Sequence, residues 1–155
     1  MDFELLNEAR SAIAGIDGVM ELEKTDASDV ITSVAERYMI DRSKVWWWQG
    51  MANESTTIEY GDDYSWPLIQ HMVLNEEQLV YLVITDDDPE PWPVFKGTFS
   101  NIGKLIAELW RFEYFLTDKD FSWVIFDTHH NSLIVSGTLE QGRENKEWVK
   151  GSKPF

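Results

Sequence analysis

The apolar positions of the first third of the chain recur at helical spacing. Two stripes are separated by a polar stretch: Phe3, Leu6, Ala9, Ile13 and Ile16, and then Val30, Ile31, Val34 and Tyr38. Residues at this spacing share one face of an α-helix. The pattern predicts one helix that starts after Asp2 and stops at Gly15 and Gly18, and a second that runs from Ser28 to near Ile40.

The next segment mixes signals. The three consecutive tryptophans of 46–48 point to every side of a helix and to both sides of a strand, and we interpret them as a strand or a buried crossing. Residues 56–60 are rich in β-branched side chains and predict a strand. Asp62 and Asp63 then end that strand and cap a short helix with apolar residues between positions 66 and 73.

From residue 79 the period changes to that of strands. Apolar, β-branched and aromatic runs predict five strands, at 79–85, 92–96, 112–117, 122–127 and 132–137. Between the second and third of them, Ser100 caps a predicted helix over 100–110, whose core face is Ile102, Leu105, Ile106 and Leu109. The short connections at 118–120 and 128–131 have hairpin lengths and turn residues.

This order segregates helices from hairpins, which indicates an α+β fold. We predict a single domain over 1–155, with an antiparallel meander sheet and helices packed on one face. Residues 1–73 form its mainly helical part, 79–138 its sheet part, and 142–155 a flexible basic tail. A chain of 155 residues with 43% hydrophobic content is enough for one packed core.

The chain contains no cysteine, which excludes disulfides, thiolate zinc sites, iron–sulfur clusters and cysteine nucleophiles. Its first ten residues carry acids early and lack the basic region of a secretory signal. No apolar run approaches the roughly 18–20 residues that span a bilayer. We therefore expect a soluble, cytoplasmic protein.

The net charge of −15 is concentrated in one block. Residues 45–95 contain ten acids and neither lysine nor arginine, and they also hold many of the tryptophans and tyrosines. Such a field repels nucleic acid and anionic lipid, so we expect neither as a partner. Carboxylates around aromatic anchors suit a basic protein partner, for which the predicted binding residues are Asp62, Asp63, Glu76, Glu77, Asp86, Asp87, Asp88, Glu90 and Trp92. The alternative interpretation is that the acids serve solubility and the aromatics belong to the core.

A second group of residues carries possible chemistry. His129 and His130 follow Asp127 by two and three positions, and Glu113 lies on a neighbouring predicted strand. A zinc site needs three or four ligands, and these residues lack a recognised ligand spacing. A polar turn in which the histidines bond the backbone explains them as well, so we predict no metal and no cofactor. No catalytic motif is present elsewhere, which favours a non-enzymatic protein.

Residues 92–133 resemble a known family. The series Phe112-Glu113-Tyr114-Phe115, Asp118-Lys119, Phe121, Trp123 and His129-His130 is similar to that of a family of small bacterial α+β proteins of uncharacterised function. The resemblance extends back to Trp46 and implies a fold, but no catalytic residue. Separately, the element order and the acidic, tryptophan-rich composition resemble immunity proteins of polymorphic toxin systems, including the SUKH superfamily.

Two functions follow as hypotheses. The first is a non-enzymatic binding module, most concretely a bacterial cytosolic immunity-type inhibitor of a basic toxin, whose carboxylates replace the phosphates of the toxin's substrate. The second is a metal-dependent enzyme or small-ligand-binding protein that uses Glu113, Asp127, His129 and His130. The acidic block favours the first.

Overall fold

The protein contains a seven-stranded antiparallel sheet. The computed structural model describes residues 3–39, 47–50, 55–61, 65–73, 75–86, 91–109, 112–128 and 130–138. Its strands are β1 (Met20–Glu21), β2 (Thr56–Glu59), β3 (Leu79–Ile84), β4 (Val94–Thr98), β5 (Tyr114–Asp118), β6 (Trp123–Asp127) and β7 (Ser132–Gly137). The helices are α1 (Phe3–Ile13), α2 (Lys24–Tyr38), α3 (Trp66–Met72) and α4 (Phe99–Glu108), with a 3₁₀ helix at Trp47–Gly50. The predicted α+β class and single-domain fold are confirmed.

The strand order is β1-β4-β3-β5-β6-β7-β2. Strands β5, β6 and β7 form the predicted meander, in which Leu116 pairs with Ile125 and Ile125 with Val135. Strand β3 lies between β4 and β5, so α4 connects two strands that flank the same neighbour. The sheet is wider than predicted because β1 pairs with β4 and β2 pairs with β7.

Helices cover both faces of this sheet, which corrects the prediction that they pack on one. Residues of α1, α3 and α4 join alternate positions of β3, such as Leu82, in a first core. Residues of α2 and Trp47 join the intervening position Val83 in a second core on the opposite face. The physical reason is visible in β5 and β6, in which all five residues are buried, as in strands covered on both sides.

Helix α4 shows how local chemistry sets the boundaries. The Thr98 hydroxyl accepts a 3.2 Å hydrogen bond from the Asn101 main-chain N–H, so Thr98 is the N-cap and Ser100 lies inside the first turn. Both leucines expected on its core side are buried, Leu105 at 0% and Leu109 at 7% exposure. The helix therefore seals the first core as predicted, with its N-cap two residues earlier than the sequence suggested.

Other boundaries also differ. Helix α2 begins at Lys24 rather than Ser28, and β4 begins at Val94 rather than Trp92. Trp47 starts a 3₁₀ helix where the sequence favoured a strand or a buried crossing. Asp2, Ile40, Trp46, Asp62, Asp63 and the tail at 142–155 lie outside the described residues. Among the residues described, no helix is long and apolar enough to cross a membrane.

Candidate functional site

The described members of the predicted acidic surface lie at two ends of β3. Glu76 and Glu77 are exposed in the turn before the strand, whereas Asp86 follows its last residue by two positions and is partly exposed. The six residues of the strand span about 20 Å. These acids therefore do not form one contiguous patch; Asp62, Asp63, Asp87, Asp88 and Glu90 are outside the described residues.

Asp86, which follows β3, has a constrained backbone conformation. Its φ is 40°, in the left-handed region that aspartate tolerates better than most residues. The main-chain N–H groups of Thr85 and Asp86 donate to the carbonyl oxygen of Glu113 at 3.1 and 2.9 Å. The end of β3 is thereby fixed to the segment that enters β5.

Trp92 belongs to the second core. Its indole is 3% exposed and meets the ring of Trp47 edge-on, with centroids 4.9 Å apart. Trp47 in turn stacks on Phe115 at 6.0 Å. This placement corrects the expectation that Trp92 is a surface anchor, because a side chain so enclosed by aromatic rings does not present area to a partner.

Asp127, a member of the alternative site, is held by hydroxyl groups. Its two carboxylate oxygens accept hydrogen bonds from the Tyr60 hydroxyl and the Ser65 hydroxyl, each at 2.5 Å. Tyr60 follows β2 and Ser65 precedes α3, so the 6%-exposed carboxylate joins both elements to β6. Hydrogen bonds to a buried carboxylate are among the stronger ones in proteins. The arrangement fixes Tyr60, after β2, and Ser65, before α3, against the sheet.

Tyr114 lies next to this carboxylate, since it pairs with Asp127 across β5 and β6. Its hydroxyl is fully buried beside Ser65 and Asp127, but forms no hydrogen bond of normal geometry within the described residues. Burial, and then the negative charge of Asp127, raise the pKa of Tyr114 well above its usual value of 10. The phenol therefore stays protonated at neutral pH.

The other two described members of the alternative site take different contacts. The Glu113 side chain is buried, and one of its oxygens lies 3.5 Å from the Thr85 hydroxyl. His130 is exposed in the hairpin between β6 and β7, where its main-chain N–H donates to the Thr128 hydroxyl at 3.2 Å and its ring meets Trp48 edge-on. His129 lies outside the described residues. Within the part of the chain that the structure describes, no three histidine, aspartate or glutamate side chains are grouped to hold a metal ion.

A groove on the second face of the sheet was not predicted from the sequence. It has a volume of about 300 Å³ and lies between α2 and strands β3 and β4. Asp26, Asp29 and Ser33 of α2 line one wall. Tyr81 and Lys96, which pair across β3 and β4, form its floor, and Phe121 also lines it. We refer to these residues as the α2 groove.

A ring contact and a hydrogen-bonded turn fix the position of Phe121 in the α2 groove. The rings of Tyr81 and Phe121 stack with centroids 5.9 Å apart and planes 13° apart. Phe121 has a φ of 56°, an unusual conformation for a bulky residue. Its N–H donates to the Asp118 carbonyl at 3.1 Å, and its carbonyl accepts a 2.8 Å hydrogen bond from the Tyr38 hydroxyl.

The Asp118 carboxylate completes that turn. It accepts hydrogen bonds from the main-chain N–H and the hydroxyl of Ser122, and a longer one of 3.4 Å from the Trp123 N–H. Asp118 is 8% exposed, so its carboxylate interacts with the β5–β6 hairpin rather than with solvent. The residues that line the α2 groove are far apart in sequence. The stretch Asp118-Lys119-Asp120, which marked the turn, was the only hint of this groove in the sequence.

Fold and site together define an α+β protein with two cores, a buried Asp127 cluster and an acidic, aromatic groove. The chain belongs to the family of unknown function DUF6756, whose model matches residues 15–147. This match agrees with the expectation that the chain resembles a family of uncharacterised function. No curated protein and no solved structure gives a significant match to the chain.

Proposed function

We propose that the protein is a non-enzymatic binding module for a basic protein, most concretely a bacterial cytosolic immunity-type inhibitor of a basic toxin. The observation that carries the proposal is the placement of acidic side chains. Among the described residues, the buried acids are Glu113, Asp118 and Asp127, and all other aspartates and glutamates are partly or fully exposed. In the part of the chain that the structure describes, most of the negative charge therefore lies on the surface.

A surface of this kind favours association with a cationic partner. A net charge of −15 on 155 residues produces self-repulsion, which is relieved when opposite charge approaches. Glu23, the N-cap of α2, and Asp26 and Asp29 in its first turns repeat every three residues and are all exposed, so their carboxylates lie near one another at the start of the helix. A basic partner would be attracted to this group of carboxylates.

Two of the three buried carboxylates described have structural contacts that support binding over catalysis. Asp127 accepts from Tyr60 and Ser65, and Asp118 accepts from Ser122 and Trp123. These contacts fix loops and hairpin ends, so both groups have evident structural tasks. The inhibitor form of the proposal also draws on the general resemblance to immunity proteins in element order and composition.

Co-expression with the product of the adjacent gene tests this function, because immunity proteins are usually encoded beside their toxins. We expect that product to be basic, to arrest growth when expressed alone, and to be neutralised by this chain. A variant with Glu76→Lys and Glu77→Lys should neutralise less well than one with Glu76→Gln and Glu77→Gln. An adjacent product that is acidic, or growth that this chain does not rescue, would contradict the inhibitor proposal.

A further inference from the structure

We propose that the α2 groove binds an arginine side chain of a basic protein partner. The inference rests on the proposed function and names the place where the partner is recognised. It also differs from the sequence-based expectation, which located recognition between Asp62 and Trp92. Three features of the groove support it: its carboxylates, its stacked rings and its rigidity.

The carboxylates come from one helix. Asp26 and Asp29 are three positions apart on α2, so they project from the same side of the helix, and both are exposed. Within the described part of the chain, neither carboxylate forms a hydrogen bond or an ion pair. Two such groups at this spacing can share one guanidinium, whose five donors suit carboxylate oxygens.

The stacked rings provide the second surface. Tyr81 and Phe121 are only partly buried and lie nearly parallel at 5.9 Å. A guanidinium is planar and weakly hydrated, and it stacks on aromatic faces better than an ammonium group does. An arginine that enters between α2 and these rings would meet charge on one side and π-density on the other.

Rigidity is the third feature. The left-handed backbone of Phe121 is held by the Tyr38 hydroxyl and by the Asp118 turn, so its ring is placed before any ligand arrives. A preformed site avoids the entropy cost of ordering side chains on binding.

Lys96 on the floor opposes a cation there, and therefore directs the guanidinium toward Asp26 and Asp29.

Charge complementarity selects a cationic occupant over a second copy of this chain. A second copy of the chain would carry another −15 into an acidic groove. The chain's own basic residues Arg143, Lys146, Lys150 and Lys153 also have suitable chemistry. The proposed function favours a separate basic protein, and the experiment below distinguishes the two.

The test is an NMR titration of the full-length ¹⁵N-labelled chain with blocked hexapeptides of alternating arginine and glycine, lysine and glycine, or glutamate and glycine. We expect the arginine peptide to shift the amides of α2, Tyr81 and Phe121, with about tenfold weaker effects for lysine and none for glutamate. Asp26→Asn with Asp29→Asn should weaken arginine binding at least tenfold, about 1.4 kcal/mol. Glu76→Gln with Glu77→Gln removes equal charge elsewhere and should leave it within twofold.

Two further variants separate binding from folding. Phe121→Asn keeps a residue that tolerates positive φ while it removes the ring, so it should weaken binding without lowering the melting temperature greatly. Lys96→Gln should strengthen binding, which no general loss of structure would do. Circular dichroism of each variant verifies its fold.

The outcomes distinguish the groove from the function. Arginine-peptide shifts that map to other acidic surfaces, and that persist in the Asp26 and Asp29 variant, would overturn the groove while a basic partner remains supported. Nuclear Overhauser contacts between the groove and Arg143 or Lys146 would show that the chain fills it itself, which also overturns the proposal. An absence of any binding by either cationic peptide would count against both the groove and the basic partner.

Discussion

The Tyr38 hydroxyl donates a 2.8 Å hydrogen bond to the main-chain carbonyl of Phe121, 83 residues further along the chain. This bond ties the last turn of α2 to the β5–β6 hairpin. It passes close to Gly137 at the end of β7, where a Cβ atom would lie 2.7 Å from the same hydroxyl. The end of α2, the hairpin and the last strand therefore depend on one crowded contact.

Substitution of Gly137 should destabilise the protein strongly. Its φ is 93°, and a Cβ atom would lie 2.3 Å from the Ser122 carbonyl oxygen and 2.7 Å from the Trp123 Cα. Backbone atoms cannot rotate away, so we expect Gly137→Ala to cost more than about 3 kcal/mol in the free energy of unfolding.

Gly61 is the matched control for that substitution. It has a similar positive φ of 65°, but a Cβ atom there would meet nothing within 4 Å. Gly61→Ala should therefore cost about 1–2 kcal/mol, from backbone conformation alone. Urea unfolding of both variants measures the difference, and equal losses would show that the crowding around Gly137 is relieved easily.

Replacement of Gly103 by alanine should destabilise the protein, even though Gly103 lies inside α4. Alanine usually stabilises a helix interior by about 1 kcal/mol relative to glycine. Here a Cβ atom would lie 2.4 Å from Cζ2 of Trp66, whose ring stacks on Phe99 at 4.8 Å. We expect Gly103→Ala to destabilise by about 1–3 kcal/mol through overpacking.

A double-mutant cycle isolates that clash. In a Trp66→Leu background the indole is gone, so Gly103→Ala should be neutral or stabilising. Thermal unfolding of the four proteins gives the coupling energy. If Gly103→Ala costs the same in both backgrounds, the tryptophan is not the reason for glycine at this position.

The buried Tyr114 hydroxyl should make the protein lose stability in alkali. Its folded pKa is raised well above 10 by burial and by Asp127, so above about pH 10 the unfolded chain loses a proton that the folded chain retains. The unfolded state then binds fewer protons, and the free energy of unfolding falls as the pH rises. At neutral pH this penalty is absent.

Removal of the hydroxyl tests this assignment. Because the Tyr114 hydroxyl forms no normal hydrogen bond among the described residues, Tyr114→Phe should change stability little at pH 7. Between pH 9 and 11 the variant should lose less stability than the parent, as measured by urea unfolding at each pH. Burial also raises the pKa of Tyr38, so Tyr38 should cause part of the loss of stability in both proteins. Parallel curves for parent and variant would refute the role of Tyr114.

Trp92 should behave as a core residue. Trp92→Ala removes an indole packed against Trp47 and Phe115, and we expect a loss of about 3–5 kcal/mol in the free energy of unfolding. Where the variant remains folded, dissociation from a partner should match the parent. A stable variant with faster dissociation would restore the earlier interpretation of Trp92 as a surface anchor.

Much of the sheet was predictable because its strands are long apolar runs with short polar connections. The ranges 132–137 and 79–84 agree with the sequence pattern to within one residue. By contrast, β1 has only two residues, too few for any period to appear. The two-sided burial of β5 was missed although Phe115 and Leu116 show no polar alternation, which is the pattern of a strand covered on both faces.

The candidate site was less predictable for a different reason. The α2 groove joins Asp26 of the first helical half to Phe121 of a hairpin, and such a meeting depends on which face of the sheet α2 covers. The sequence placed Asp127 among possible catalytic residues because its spacing to His129 suggested it. Its partners Tyr60 and Ser65, more than 60 positions away, carried no signal of their own.

The measurement that tests the central claim most directly is the association rate of this protein with its basic partner as the salt concentration changes. Between about 20 and 300 mM salt we expect the rate to fall at least tenfold, because screening shortens the reach of the acidic surface, while dissociation changes little. Asp26→Lys with Asp29→Lys should slow association further and flatten its salt dependence. An association rate indifferent to salt, or a partner with an acidic surface, would contradict the account.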